Sequence, residues 1–483
     1  MEVKRLFEGI TYALIRGQQE QKVGEIIYDS RIKTVDGLFI AIKGFASDGH
    51  KFIKSAIENG ARTVVVQDDV EVENPHVTII KVDNTREVMA QLASNFYDSP
   101  STKLDLVGVT GTNGKTSTTF ILAQILELYG QKVGVIGTIE NRIGDKILQT
   151  ERTTPESLDL QNLLNKMQVE LVNTTMMEVS SHALDLNRVD MCHFKIGIFT
   201  NLTQDHLDFH KTMENYAHAK AKLFKMCDTS IINIDSDYAQ TMLDACKNTP
   251  ITYGIDNVSD YHATDIKITA TQTEYTLQYD GKAYNVVVPI PGKFTVYNTL
   301  GALVAAHKLG LSLEDIIVAL KTVRGVPGRI QGFNSKKGYS VIVDYAHTPD
   351  GLENVLQAIN QFAKGEIITV FGCGGDRDNT KRPLMGEMAA KYSTKVIITS
   401  DNPRSEEPNS ILDQVEVGVK KHSTPYTKEV DRKTAIHNAL DMAKEGDVIL
   451  VAGKGHETYQ ILKDGIIHFD DSEIVCDYLA EEA

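Results

Sequence analysis

Residues 104 to 116, LDLVGVTGTNGKT, run an apolar strand straight into a glycine-rich turn that ends in Lys115 and Thr116. Downstream, Ile121, Leu122, Ile125, Leu126 and Tyr129 recur at helical spacing, so the turn joins a strand to a helix. A chain carrying such a unit is constrained to an α/β fold with an anion at the strand's end. Gly111 and Gly114 can bring backbone N–H groups of the Gly111–Thr112–Asn113–Gly114 loop against phosphate oxygens. Lys115 supplies a point charge for β/γ-phosphates, and the Thr116 hydroxyl is placed to ligate Mg²⁺. The general pattern GxxxxGK[ST] fails at its first glycine, where Val109 stands, so this is a shorter-spaced variant. The ligand it implies is a nucleoside triphosphate with Mg²⁺.

The 483 residues suggest about three domains at ~150 residues each. No apolar run approaches the roughly 18 to 20 residues of a spanning helix, and MEVKRLFEGI lacks the apolar core of a secretory signal, so a cytoplasmic chain without membrane insertion is expected. Its 5 cysteines are scattered without a CxxC pair, which fits reduced thiols better than disulfides or a zinc site. A net charge of −15 argues against nucleic acid as a partner, so an anionic ligand must meet a local basic pocket.

The expected fold class is α/β in three domains. Residues 1–98 mix short strands (37–42, 62–67, 77–82) with a helical stretch near 51–59, a small α/β domain. Residues 99–330 alternate strands at 104–110, 132–138, 172–179 and 195–200 with helices, a central P-loop-type domain with a largely parallel sheet. TEYTLQY and AYNVVVP flank Asp280-Gly281-Lys282 and predict an antiparallel hairpin there. RGVPGRIQGF, 324 to 333, is the natural linker. Beyond it, residues 331–483 alternate again, with strands in YSVIVDYA, IITVFGC, KVIITSD and DVILVAG, which predicts a Rossmann-like C-terminal domain.

A second constellation sits at strand ends of the central part: Glu178 and His182 in MMEVSSHALDLNRV, then Asp205, His206 and Asp208 in NLTQDHLDFH. Carboxylates beside a triphosphate make sense when Mg²⁺ bridges them, and Glu178 and His206 are the favoured ligands. Taken alone, Glu178 is equally well a hydrogen-bonded strand-end carboxylate. Ser180-Ser181-His182 invites a serine-hydrolase reading, but the GxSxG elbow is absent.

GTNGKT, TTPES (153 to 157), EVSSH, TNLTQDHLDFH, YAHAKAKLF, DYAHTPD, GCGGDRD and DNPR occur in this order across nearly the whole chain. In this the sequence resembles the bacterial Mur ligases, and among them the branch that adds the third peptide residue to UDP-N-acetylmuramoyl-L-Ala-D-Glu. The resemblance implies ATP-dependent amide formation through an acyl phosphate, with ADP and phosphate as products, in cytoplasmic peptidoglycan synthesis. No protein nucleophile is required; Lys115 and Mg²⁺ neutralise the transferred phosphoryl group, and catalysis is mostly alignment. The 1–98 domain would bind the UDP sugar, 99–330 ATP and 331–483 the amino acid.

The resemblance also assigns residues. Lys220 in YAHAKAKLF matches a lysine carbamylated by CO₂, which would share Mg²⁺ with Thr116, Glu178 and His206. Without the family, Lys220 reads as a helix-surface lysine, and Lys222 is an equal candidate. Further ATP contacts implied are Asn298, Arg329, Asp344 and His347; their bland alternatives are a helix cap, linker charge and, for Asp344, turn amides ahead of Pro349. The nucleotide-sugar dipeptide would meet Ser30, Thr153, Thr154, Ser180 and Arg188. Two departures stand near these: Arg152 where well-known members have Asn, and Leu186 where some have Gln. Asp401, Asn402, Pro403 and Arg404 resemble the meso-diaminopimelate-adding type, with Arg377, Gly453 and Glu457 around the same substrate. Arg404 offers a planar fork for a second carboxylate, which diaminopimelate has and lysine lacks; the bland alternative is a turn. The rival readings are a lysine-adding ligase, a folylpolyglutamate synthase-like ligase and a non-enzymatic nucleotide-binding module. A monomer is the expectation.

Overall fold

The computed structural model describes residues 1–44, 47–148, 150, 152–269, 271–326, 328 and 330–482, with the backbone alone at Asp208. Two compact units emerge, Met1–Thr252 and a second from Tyr253 onward.

The first unit opens with a five-stranded sheet in the order Ala13–Arg16, Thr78–Lys81, Ala61–Val66, Gly37–Ile40, Glu25–Ile27. Its first strand is antiparallel and the others parallel. Buried aliphatic residues on both faces, such as Leu38 and Ile40 on one and Val64 and Val66 on the other, explain why these strands read as continuous apolar runs. The helix Thr85–Phe96 covers one face and starts at Asn84, whose side chain accepts from the amides of Arg86 and Glu87.

A second sheet in this unit orders its parallel strands Cys227–Asn233, Phe194–Phe199, Asp105–Thr110, Thr174–Glu178, Val133–Ile136. Asn141–Ile143 and Lys146–Leu148 then add an antiparallel hairpin. Asp105–Thr110 is the first strand in sequence yet lies inside the sheet, so chain connections leave it toward both sides. That is a topological switch point, where open α/β sheets present ligand loops at their carboxyl ends. The phosphate loop, Glu178 and Thr200 all lie at that end.

The second unit begins with an antiparallel meander, Tyr261–Ile268, Thr273–Tyr279 and Lys282–Val288. The expected Asp280-Gly281 turn is present: Tyr279 faces Lys282, and φ is 49° at Asp280 and 70° at Gly281, the left-handed pair that a two-residue hairpin demands. A six-stranded sheet follows in the order Gln331–Asn334, Ser340–Asp344, Val448–Ala452, Ile367–Phe371, Lys395–Thr399, Tyr426–Glu429. All but the first strand are parallel, and apolar clusters fill both faces. The helix Pro349–Asn360 buries Leu352, Val355, Leu356, Ala358 and Ile359. Among the described residues no helix is long and apolar enough to cross a membrane, and all five cysteines are free thiols.

Candidate active site

The phosphate loop is braced from the neighbouring strand end. Gly111 has φ 152°, and a Cβ there would lie 1.9 Å from Thr200 Oγ1. The amides of Thr112 and Asn113 donate to Asn201 O and Oδ1, both at 2.9 Å, and Thr200 Oγ1 donates to Asn113 O at 2.6 Å. Gly114, at φ 86°, ends the loop and caps the helix Lys115–Leu128. Sequence reading missed Thr200 and Asn201, because their role depends on two strands 90 residues apart being neighbours.

Thr116 Oγ1 donates to both oxygens of Glu178, each at 3.0 Å. The Thr138 amide and hydroxyl reach the same carboxylate at 2.9 and 3.1 Å. Glu178 is 1% exposed, and these donors to it are hydroxyls and a backbone amide. A buried carboxylate held by neutral donors is a chemical environment that suits a hard divalent cation, which takes oxygen ligands and supplies countercharge.

Lys220 is 1% exposed, so the helix-surface reading of its spacing is corrected. Its Nζ donates to Gly111 O at 2.8 Å, beside Lys115 Nζ at 2.9 Å from the same oxygen, and lies 4.6 Å from the Tyr216 ring centre. Burial, and secondarily Lys115, hold its ammonium well below the ordinary lysine range. The rival Lys222 is 47% exposed and paired with Asp185 at 2.9 Å. His206, at φ 53°, caps the short helix Leu207–His210 and lies 3.4 Å from Asp205. Its ring stands edge-on to His182 and Tyr216, and Tyr216 OH lies 3.2 Å from Thr112 Oγ1. The loop thus links two groups, Glu178 through Thr116 and the Lys220–Tyr216–His206 set through Gly111 and Thr112. Ser181 Oγ lies 2.9 Å from the ring of buried His210, which comes from the NLTQDHLDFH segment.

In the same unit Thr154 Oγ1 donates to Glu178 O at 2.8 Å and lies 3.3 Å from Ser180 Oγ, while Arg188 Nη1 donates to Thr154 O at 3.2 Å. Thr153 Oγ1 is 3.0 Å from Thr138 Oγ1. TTPES is thereby tied to the carboxylate's own strand. Ser30 is buried and its carbonyl accepts from Asn59 Nδ2 at 2.8 Å. Tyr28, Asp29 and Arg31 around it line a cavity of about 700 Å³ that Arg152, Glu156 and Lys166 also border.

In the second unit, Asn298 lies inside the helix Lys293–Lys308, which rules out the capping alternative. Asp344 accepts from the amide of Ala346, in the turn ahead of Pro349, at 2.7 Å and from that of Ile330 at 2.8 Å. His347 Nδ1 lies 2.8 Å from Tyr345 O. Arg329 lies outside the described residues. The DNPR loop is stitched to two others: Arg404, at φ 54°, donates from Nη1 to Gly375 O at 2.6 Å, and its amide reaches Ile461 O. Asn402 Nδ2 donates to Glu457 Oε2 at 2.8 Å, and the fully buried Lys454 holds both Asn402 Oδ1 at 3.2 Å and Glu457 Oε2 at 3.1 Å. Asp401 is buried, which pushes its carboxyl up, and a Cβ on Gly453 would lie 2.7 Å from it. The Pro403 carbonyl lies where a side chain on Gly375 would go. Arg377 is exposed beside this loop.

Against known proteins, this arrangement falls into one family. A profile of the Mur ligase family catalytic domain matches residues 22–97, that of the Mur ligase middle domain 109–306, and that of the Mur ligase glutamate ligase domain 328–455. A UDP-N-acetylmuramoyl-L-alanyl-D-glutamate–2,6-diaminopimelate ligase 1 of Clostridium acetobutylicum is 49% identical over 100% of both chains. The chain belongs to the Mur ligase family. A similarly named ligase of Caldanaerobacter subterraneus subsp. tengcongensis is 48% identical over 100% of this chain and 99% of its own. A solved structure with that ligase name superposes with a TM-score of 0.75 at 30% identity, covering 99% of each chain.

Within this Mur ligase, the elements missed by sequence reading are those whose meaning depends on distant partners. Thr138 carried no motif signal of its own, and Tyr216, although it opens YAHAKAKLF, and Lys454 were not singled out; each touches a residue that was. Of the two lysines of YAHAKAKLF, between which spacing alone could not choose, Lys220 is the one whose Nζ meets the phosphate loop, while Lys222 pairs with Asp185.

Proposed function

We propose that this chain is an ATP-dependent ligase that joins meso-diaminopimelate to UDP-N-acetylmuramoyl-L-Ala-D-Glu, releasing ADP and phosphate, in cytoplasmic peptidoglycan precursor synthesis. The observation that carries this reading is the 49% identity over the full length to a ligase of that name. It is supported by a phosphate loop at the sheet's switch point and by an Arg-bearing DNPR loop fixed on a second sheet. In this reading residues 1–98 serve the nucleotide sugar, 99–330 ATP and 331–483 the amino acid.

The substrate carboxylate attacks the γ-phosphate to give an acyl phosphate and ADP, and the amine then displaces phosphate. Gly111, Thr112, Asn113, Gly114, Lys115 and Thr116 hold the triphosphate, the loop carrying rigid donors and Lys115 the charge. Thr116, Glu178, His206 and a carbamate on Lys220 would hold Mg²⁺, which supplies neutralisation of phosphoryl charge when bound. Buried Lys220 donates to a loop carbonyl shared with Lys115 and forms no direct ion pair among the described residues, Asp205 acting on it only at a distance; converting its amine to a carbamate would turn the like-charge contact with Lys115 into an attractive one. Asn298, Arg329, Asp344 and His347 are further nucleotide contacts. Ser30, Thr153, Thr154, Ser180 and Arg188 bind the nucleotide-sugar dipeptide. Arg377, Asp401, Asn402, Pro403, Arg404, Gly453 and Glu457 bind diaminopimelate. The chain acts as a monomer.

The test is phosphate release with ATP, Mg²⁺ and UDP-N-acetylmuramoyl-L-Ala-D-Glu, with meso-diaminopimelate or L-lysine as amine. Diaminopimelate should be preferred, and Arg404→Ala should raise its KM by roughly ten- to a hundredfold through loss of a bidentate carboxylate contact. A lysine preference would refute the role given to Arg404, and no release with either amine would refute the ligase.

A further inference from the structure

Two loops of the second unit leave their sheet side by side. The strands Ile367–Phe371 and Lys395–Thr399 are adjacent and parallel, so GCGGDRD and DNPR follow their carboxyl ends as neighbours. Gly374 and Gly375 bring no side chain to hold this contact, and glycine backbone gives up much conformational freedom when it is fixed. The anchor comes from the next helix, Lys381–Tyr392. Its Arg382, fully buried, donates from Nη2 to Gly374 O at 3.0 Å and to Glu406 Oε1 at 2.8 Å. From Nη1 it donates to Glu406 Oε2 at 2.8 Å and to Gln414 Oε1 at 2.9 Å. The terminal N–H groups are thereby spent inside the chain, and Nε is buried. Arg382 has none to offer a ligand and acts through the loops it holds. The helix that carries it is itself fixed: a Cβ on Gly418 of the helix Pro408–Val419 would lie 1.7 Å from Pro383 O.

A second observation is independent of this clamp. Arg404, a residue with a long side chain, sits at φ 54°, in the left-handed region. Such a conformation persists where the surroundings over-determine it. Contacts on both sides do so here: the Arg404 amide reaches Ile461 O at 3.1 Å, Ser405 Oγ donates to Asp376 Oδ1 at 2.6 Å, and Glu406 Oε1 accepts from the Asp376 amide at 2.6 Å. Arg404 Nη1 is tied to Gly375 O at 2.6 Å, whereas Nε and Nη2 make no hydrogen bond among the described residues. The guanidinium therefore offers one planar edge, Nε with Nη2, of the shape that takes a carboxylate through two parallel bonds.

We infer that Arg382 is a positioning residue for amine selection: by gripping Gly374 O and Glu406 it fixes the Gly375 carbonyl and the left-handed turn at Arg404, and so aims the Nε–Nη2 edge of Arg404 at the distal carboxylate of the amine. The inference rests on the reading of Arg404 as the diaminopimelate reader and deepens it by naming what holds that reader in place. Lysine can replace the charge of Arg382 but not its fork, since one ammonium cannot span Gly374 O, both Glu406 oxygens and Gln414. Glu406 is the clamp's other half, its side chain 31% exposed where that of Arg382 is 1% exposed.

The test uses the full chain and measures phosphate release with ATP, Mg²⁺ and UDP-N-acetylmuramoyl-L-Ala-D-Glu, varying meso-diaminopimelate or L-lysine, which lacks the distal carboxylate, and separately ATP. Arg382→Lys should raise the diaminopimelate KM about tenfold, the scale of one misaligned charge-assisted contact, and leave kcat/KM for lysine and the KM for ATP within about twofold. In an Arg404→Ala background the same substitution should change the diaminopimelate KM by less than about twofold, because its effect passes through Arg404. Glu406→Gln, at the more exposed end of the clamp, should repeat the loss of preference and keeps the test open if Arg382→Lys fails to fold. A merely structural role would lower kcat/KM for both amines alike and would persist without Arg404; either result overturns the inference. Unchanged diaminopimelate KM in Arg382→Lys and Glu406→Gln, with Arg404→Ala impaired, overturns the positioning role alone. An unimpaired Arg404→Ala overturns the reading beneath it.

Discussion

Lys220 and Lys222 are two positions apart on one short stretch of chain, yet one is 1% exposed and hydrogen-bonded to the phosphate loop while the other is solvated against Asp185. If Lys220 carries the anionic ligand of the metal, Lys220→Ala should lower phosphate release by about a thousandfold or more, the scale on which electrostatic stabilisation of the transferring group operates. Lys222→Ala removes one exposed ion pair, worth about 0–1 kcal/mol, and should leave turnover within about twofold. Comparing the two in the same release assay checks the assignment, and near-normal activity in Lys220→Ala removes carbamylation from the mechanism. Glu178 was legible at this scale because EVSSH ends a strand. Its neighbour Thr138, 40 residues away, was not, and Thr116, 62 residues away, was put with it only through the family resemblance.

At the scale of elements, the phosphate loop and the GCGGDRD loop are both held by contacts too tight for a side chain. In Gly111→Ala the new methyl would meet Thr200 Oγ1 at 1.9 Å with φ at 152°, so the loop must shift. The expected outcome is a rise in the KM for ATP of about tenfold or more, with an unchanged KM for the amine. In the second unit, buried Arg382 on the helix Lys381–Tyr392 donates two hydrogen bonds of 2.8 Å to Glu406 and one of 3.0 Å to Gly374 O. Arg382 holds the Glu406 carboxyl down at about 2, against an ordinary value of 4.5. The folded-state value is depressed, so the stabilisation is complete above about pH 4.5 and is lost as the pH falls toward about 2. After allowance for solvent screening at the partly exposed carboxylate, Glu406→Gln should cost about 1–2 kcal/mol in urea unfolding at pH 7. The deficit should shrink progressively between pH 4.5 and pH 2. The parallel strands themselves were readable, because strands buried on both faces are written as short unbroken apolar runs. The edge strands Ala13–Arg16 and Tyr426–Glu429 were not, since largely exposed residues leave no such run.

Over the whole molecule a net charge of −15 coexists with local basic clusters at Lys115 and Lys220 and around Glu156. Such a chain should pass unretained through an immobilised polyanion column at pH 7.5 and moderate salt, because its net charge is negative and these basic groups are gathered in small clusters rather than spread over a face. Retention would reveal a basic surface that the charge balance does not predict. The amino-acid sequence by itself determined the α/β class, the loop at residues 111–116, the Asp280-Gly281 hairpin and the order of family motifs, all of which are encoded by neighbours within one element or one turn. Only the tertiary structure decided that Lys220 rather than Lys222 meets the loop, that Thr200 and Asn201 brace it, and that Arg86, Arg152 and Arg188 share Glu156. These facts depend on which strands lie side by side and which side chains lose their water. Spacing along the chain sets local periodicity, whereas the burial of a charge is set by whatever residues the fold brings up against it.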